Sequence, residues 1–247
     1  MNISYRELLY QAYWRALDWI YPPDCAACGA PGQYLCKECQ SKIRFISGGM
    51  RNASDRTILL HAKPGIVRHR GTRKFTAVKV LSLYEGVIRE CIHDLKYKNN
   101  RGLGELFSSW LADLVRKEGW GIDLVLPVAL NPKRINQRGY NQSAVIARPL
   151  AARLRKPYSP YALKRIRNTP SQVGLTAEER RENVAGAFTA ENELIAGKNV
   201  LLVDDVLTTG ATLEACSFAI FHAGAAAVYC VTIAGFSADI PDPFISP

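Results

Sequence analysis

The chain has 247 residues and 27.4 kDa, with 48% hydrophobic and 22% charged residues, enough apolar material for a real core, which excludes a single short module and a wholly disordered chain. Its net charge of +10 is unevenly placed: residues 42–101 hold fourteen Lys/Arg against four Asp/Glu, residues 131–181 twelve against two, and residues 182–247 one Lys against eight acids. Two basic belts before an acidic end point to anionic partners, phosphates or nucleic acid, although a basic surface that merely keeps the chain soluble explains the charge equally well.

From Ile3 to Ile20, Leu9, Tyr13, Leu17 and Ile20 fall along one side, predicting a short amphipathic helix that docks on the body, with membrane-surface association as the alternative. The apolar stretch Leu8–Tyr21 is broken by Arg15 and Asp18 and is too short to cross a bilayer, and it lacks the leader and cleavage site of an export signal. A cytoplasmic protein without a transmembrane segment is expected. Pro22 and Pro23 stop the helix, and four of the seven cysteines follow in CAAC and CKEC: Cys25, Cys28, Cys36 and Cys39. Paired CxxC knuckles bend the backbone around one metal, and four thiolates complete a tetrahedral structural zinc with no open catalytic position. A redox dithiol and an iron–sulfur cluster are the weaker options.

Residues 44–75, with Gly48, Gly49, Pro64 and Gly71, read as a linker or irregular subdomain; His61 and His69 have no neighbouring cysteines and read as surface residues. Then the pattern sharpens: a strand over Ala77–Tyr84, a helix over Val87–Tyr97, and a second helix whose Leu103, Leu106, Phe107, Trp110, Leu111, Leu114 and Val115 share one face. A buried strand over Asp123–Leu130 and a helix over Gln142–Leu154 follow. Residues 155–188 are long, basic and poorly periodic, as functional loops often are. Asn199–Val203 is a buried strand ending at Asp204 and Asp205; a helix from about Ala211 to Ala223, a strand over Ala227–Ile233 and a proline-bearing tail, residues 237–247, complete the chain. Alternating strands and helices predict an α/β domain with a parallel sheet. Cys91, Cys216 and Cys230 sit in apolar contexts and are expected in the core.

The sharpest motif is VLLVDDVLTTGAT, Val200–Thr212. Ligands of open parallel sheets bind beyond the carboxyl ends of the strands. There, Leu207, Thr208, Thr209, Gly210, Ala211 and Thr212 open a helix whose unpaired N–H groups and dipole favour a phosphate. Two carboxylates beside such a cradle suit sugar hydroxyls or a hydrated magnesium ion. Lys133, Arg134 and Arg138 follow the preceding strand and can reach the same sheet edge, where guanidinium groups suit a pyrophosphate; a solvated basic face is the bland alternative. Lys96 is open between surface charge and phosphate contact. VLLVDD also looks like the opening of a response-regulator receiver, which would stand near a domain start and would not continue TTGAT.

Val200–Thr212 resembles the signature loop of type I phosphoribosyltransferases, which holds the 5-phosphate of phosphoribosyl pyrophosphate while the acidic pair contacts the ribose hydroxyls. LKYKNNRGLGELF from Leu95, VLPVALNPKRINQRGYNQSAVIA from Val125 and RNTPSQVGLTAEERRENVAGAF from Arg167 narrow the resemblance to the ComF family of competence-related proteins, which join a cysteine zinc module to a phosphoribosyltransferase-like domain. The resemblance implies a type I phosphoribosyltransferase-like parallel sheet flanked by helices. It divides the chain into an N-terminal helix and zinc knuckle (1–50), a linker (51–74), the phosphoribosyltransferase-like domain (75–236) and a tail (237–247). It makes residues Leu130–Tyr140 the pyrophosphate loop and residues 155–188 a mobile catalytic loop carrying Arg167, Gln172, Arg180 and Asn183. It implies phosphoribosyl pyrophosphate with magnesium as ligand and a role in DNA uptake or handling. Two functions stay open: a phosphoribosyltransferase, with no obvious catalytic His or Glu, and a non-catalytic single-stranded DNA adaptor that keeps the pocket as a sensor. The chain departs from many relatives in lacking a second cysteine pair and in having Ala129 where a second proline is usual.

Overall fold

The structure, a computed structural model, describes residues 22–46, 75–167 and 183–236 and the backbone at 68–69 and 72–73. The expected N-terminal helix, His61, the side chain of His69, Gln172, Arg180 and the tail lie outside the described residues.

The elements run α1 (Lys37–Ser41), β1 (Arg68–His69), β2 (Thr72–Arg73), β3 (Ala77–Leu83), α2 (Gly86–Tyr97), α3 (Gly102–Glu118), β4 (Leu124–Pro127), α4 (Pro132–Arg138), α5 (Gln142–Leu154), β5 (Leu163–Arg165), β6 (Phe188–Ala190), α6 (Asn192–Ile195), β7 (Asn199–Leu207), α7 (Ala211–His222) and β8 (Ala227–Gly235). The central sheet is parallel throughout, in the order β3-β8-β7-β4. Strands buried on both faces read as continuous apolar runs, and β7 shows why. Leu201 and Val203 belong to the core under α2, α3 and α5, whereas Val200 and Leu202 belong to the core under α7 and the antiparallel β5-β6 pair. Cys91, Cys216 and Cys230 are fully buried, as expected.

The sequence reading ended β7 at Val203. The strand instead continues to Leu207 because β8 pairs with it as far as Gly235, so Asp204 and Asp205 lie within the strand. Residues 44–46, expected in a linker, pair antiparallel with β3: Ile46 N–H donates to Leu81 C=O (2.9 Å) and Leu83 N–H to Arg44 C=O (3.0 Å). At the far edge, residues 157–159 lie parallel to β4, with Val125 N–H donating to Pro157 C=O (2.9 Å).

Among the described residues the cysteine module shares the core of the domain: Cys25, Leu35, Cys39 and Ile43 are buried in one cluster with Cys91, Leu95 and Phe107. Helix interiors disfavour glycine, so the GLG of α3 needs a packing reason. A Cβ at Gly104 would stand 2.5 Å from Val145 Cγ1 and 2.7 Å from the Val145 carbonyl oxygen. The two helices therefore touch backbone to backbone, and Arg153 of α5 ties them at Ser108 Oγ (2.9 Å) and Glu105 Oε2 (3.0 Å). This packing fixes the N-terminal end of α5 against the carboxyl end of β7.

Candidate functional site

The expected pyrophosphate loop contains a short helix. Asn131 caps α4 by accepting from Lys133 N–H (2.9 Å), Pro132 takes the first turn where its missing N–H costs nothing, and Gly139, at φ +77°, ends it in the left-handed region. The helix puts Arg134 and Arg138 one turn apart on the wall of a cleft of about 270 Å³. Lys133, on another side of α4, is exposed and outside the cleft lining.

Each residue of the RGYNQ run then has a structural task. The buried Tyr140 hydroxyl donates to Leu95 C=O, with the Arg101 guanidinium 4.5 Å from its ring centroid. Asn141 caps α5 by accepting from Ser143 N–H (3.0 Å) and donates to Val128 C=O (2.8 Å), joining the helix to the end of β4. Gln142 accepts from Arg138 Nη1 (2.8 Å) and donates to Asp205 Oδ1 (3.3 Å). Ser143 Oγ donates to Asp204 Oδ1 (2.8 Å), which also accepts from Asp205 N–H (3.0 Å). From α2, Lys96 pairs with Asp205 Oδ2.

These partners divide the aspartates electrostatically. Burial, then the neighbouring Asp205 charge, pushes the Asp204 carboxyl up to about 8, with Ser143 offsetting only part of the rise. Burial also raises Asp205, but the Lys96 ammonium outweighs it and holds that carboxyl below its ordinary value. Burial lowers Lys96, and Asp205 reverses this, leaving the lysine above its ordinary value.

Beyond the pair, Thr208 and Thr212 line the cleft, and the buried Thr209 hydroxyl oxygen has no hydrogen-bond partner among the described residues. Gly210 (φ +77°) starts α7, and a Cβ there would meet nothing closer than Leu207 Cδ1 at 3.7 Å, so backbone conformation and not space selects glycine. Leu207 and Ala211 are buried and anchor the turn in the second core. Arg165 of β5 also lines the cleft, its guanidinium 5.3 Å from the Phe188 ring centroid. Arg167 is exposed outside the lining and donates to Asn183 C=O at 3.4 Å.

The structure thus brings together Asp204, Asp205, Thr208, Thr212, Arg134 and Arg138, and adds Gln142, Ser143, Arg165 and Lys96. The sequence signal for Gln142 was its place directly after Asn141. No spacing indicated that the start of α5 meets β7, because α3 packing sets that contact.

The sulfurs of Cys25, Cys28, Cys36 and Cys39 all lie within 4.8 Å of one another. Tetrahedral zinc with sulfurs at about 2.3 Å requires S···S distances of about 3.8 Å, and Cys28 and Cys36 stand 3.7 Å apart. Cys36 N–H donates to Cys25 Sγ and Cys39 N–H to Cys36 Sγ, both at 3.4 Å, which supports thiolates. Burial raises Cys25, yet the backbone N–H groups of Cys36, Ala27 and Cys28 bring it down to about 6. The donor set fits a closed structural zinc.

Parallel sheet, acidic pair, threonine turn and four-cysteine cluster define a phosphoribosyltransferase-like domain joined to a zinc ribbon. Residues 140–242 match the family described as phosphoribosyl transferase domain, and residues 16–50 the one described as double zinc ribbon domain. The DNA utilization protein YhgH of Escherichia coli (strain K12) is 32% identical over 150 residues, covering 59% of this chain and 66% of that protein, just under two thirds of its length. Competence protein ComFC of Bacillus subtilis (strain 168) is 26% identical over 220 residues, 87% of this chain and 85% of that one. Among solved structures, the glutamine phosphoribosylpyrophosphate amidotransferase from B. subtilis complexed with ADP and GMP is 20% identical, covers 57% of this chain and 26% of its own, and has a TM-score of 0.36. These similarities, to proteins named for DNA utilization and for competence, agree with the resemblance to the ComF family. Among the described residues no helix is long and apolar enough to cross a membrane.

Proposed function

We propose that the cleft binds phosphoribosyl pyrophosphate and that the protein is a phosphoribosyltransferase-like component of DNA uptake or handling, working in the cytoplasm. The observation that carries this reading is the convergence of Arg134, Arg138 and Arg165 on one cleft with Asp204, Asp205 and the threonine turn. A ribose carrying anions at both ends needs two anion poles separated by hydroxyl acceptors. The start of α7, with Thr208, Thr209 and Thr212, suits the 5-phosphate, since its N–H groups and dipole favour an anion. The guanidinium groups suit the pyrophosphate, which they grip bidentately, and the aspartates suit the ribose hydroxyls. Magnesium, which the resemblance implies, would arrive with the polyphosphate.

In this reading, displacement of pyrophosphate from the anomeric carbon develops positive charge on the ribose and negative charge on the leaving group. The arginines oppose the second and the Asp205 carboxylate the first, while Asp204, which retains its proton, is left to hydrogen-bond a ribose hydroxyl; electrostatic placement does the work and no strong protein base is required. Zinc supplies no chemistry to this step; it holds the ribbon.

Calorimetric titration of the zinc-loaded chain with phosphoribosyl pyrophosphate in the presence of magnesium tests the reading. The expected result is binding that Asp204→Asn with Asp205→Asn abolishes while the melting transition remains cooperative; a folded wild type that takes up no ligand overturns it.

A second reading, single-stranded DNA binding, draws on the cleft rim. Tyr97 is 64% exposed, with the Arg138 guanidinium 5.0 Å from its ring centroid, an aromatic–cation pair of the kind on which bases stack. Neutralising Arg134, Arg138, Lys164 and Arg165 should then flatten the salt dependence of binding.

A further inference from the structure

The aspartate pair is already furnished with a cation. Three of its four carboxylate oxygens have partners: Asp204 Oδ1 accepts from Ser143 Oγ and Asp205 N–H, Asp205 Oδ1 accepts from Gln142, and Asp205 Oδ2 pairs with Lys96. Magnesium demands an oxygen-rich octahedral shell. At this pair it would have to compete with an ammonium group lodged against the carboxylate. Lys96 is held in place, its side chain only 19% exposed, and it extends from the last turn of α2, a helix packed into the main core through Ile92 and Leu95. Four basic groups, Lys96, Arg134, Arg138 and Arg165, therefore face two carboxylates around one cleft. A divalent ion ordinarily neutralises a polyphosphate and bridges it to carboxylates; here the chain carries the positive charge for both tasks.

We propose that Lys96 is the resident counter-cation of the cleft, fixing Asp205 for the ribose hydroxyls and making the binding of a pyrophosphate-bearing ribose phosphate independent of added divalent metal. This rests on the proposed ligand. Lys96 is then a positioning residue, acting on the sugar through Asp205, and the metal requirement is set by one side chain and not by the acidic pair alone.

The test is titration of the zinc-loaded full chain with phosphoribosyl pyrophosphate, with and without magnesium chloride, in buffer freed of divalent ions on a resin so that no chelator strips the zinc. Wild type is expected to bind with affinities that agree within about threefold between the two conditions, a difference well under 1.4 kcal/mol. Lys96→Met is expected to lose about tenfold or more without magnesium and to recover much of it when magnesium is added. Lys96→Arg, which keeps the charge, is expected to stay magnesium-independent; a purely structural lysine would show no such split between the variants. Should Lys96→Met fail to melt cooperatively, the wild-type and Lys96→Arg titrations decide. Wild type binding only with magnesium overturns the inference and leaves the ligand reading intact. A folded wild type that binds in neither condition overturns the ligand reading and the inference with it.

Discussion

The ring of Tyr34, in the zinc ribbon, rests on the backbone of Gly102 at the start of α3: a Cβ there would fall 1.9 Å from Tyr34 Cζ. Two residues on, Gly104 meets the Val145 carbonyl oxygen at 2.7 Å from its own notional Cβ. The two contacts differ in what must yield. A tyrosine ring can swing, whereas α5 backbone can move only with the whole helix, and overpacking of that kind costs about 1–3 kcal/mol. Gly104→Ala should therefore lower the denaturation midpoint more than Gly102→Ala, even though alanine gains helix propensity at both. Equal losses would mean that the helix pair is less tightly packed than its geometry implies.

Zinc removal should reach the cleft. The ribbon shares its core with α2, the helix that ends in Lys96, and Phe45 sits edge-on to Trp110 at 5.4 Å between ring centroids. Stripping the metal with a chelator should lower the melting temperature, alter tryptophan fluorescence and weaken phosphoribosyl pyrophosphate binding together. Loss of the metal with melting and binding unchanged would show a ribbon energetically separate from the domain.

Gln142 links Arg138 to Asp205, and hydrogen bonds to charged groups contribute about 1.5–3 kcal/mol each. Gln142→Leu should reduce ligand affinity about tenfold or more by releasing both partners. Gln142→Glu would keep the bond to Arg138 and oppose Asp205, so its defect should ease as pH falls. A glutamate variant with the wild-type pH profile would remove Asp205 from this chain of contacts.

The raised Asp204 carboxyl has a signed consequence for stability. Its folded value, up to about 8, lies above the unfolded value of about 3.9, so the folded state binds the extra proton between them and loses stability as pH rises through that window. Asp205 acts in the opposite sense, its stabilisation lost as pH falls. Asp204→Asn should therefore gain stability relative to wild type on going from mildly acidic to mildly alkaline pH. A melting-temperature difference that is flat across this range would contradict the buried, proton-retaining state of Asp204.

The elements legible in the sequence were those whose apolar spacing is imposed by one partner surface. The α3 stripe from Leu103 to Val115 and the alternately shared strand Val200–Val203 are of this kind. Asp204, Asp205, Thr208, Thr212, Arg134 and Arg138, singled out by residue type within short motifs, do line one cleft. Lys96, Gln142, Ser143 and Arg165 were not assigned, since nothing in their own segments records that α2, the start of α5 and β5 converge on β7. The end of β7 was misplaced for a related reason: carboxylates disfavour a strand by composition, and only pairing with β8 carries the strand through them. Arg165 lay in a stretch with no periodicity because β5 and β6 are three residues each.

Each margin of the parallel sheet is covered in part by the chain itself, residues 44–46 at Leu81–Leu83 of β3 and residues 157–159 at Val125 of β4. An exposed strand margin offers a row of unpaired amides and carbonyls to any extended peptide, and these segments use up such groups at Leu81, Leu83 and Val125. Over those stretches a protein that engaged this domain would have to do so through side chains and not main-chain hydrogen bonds.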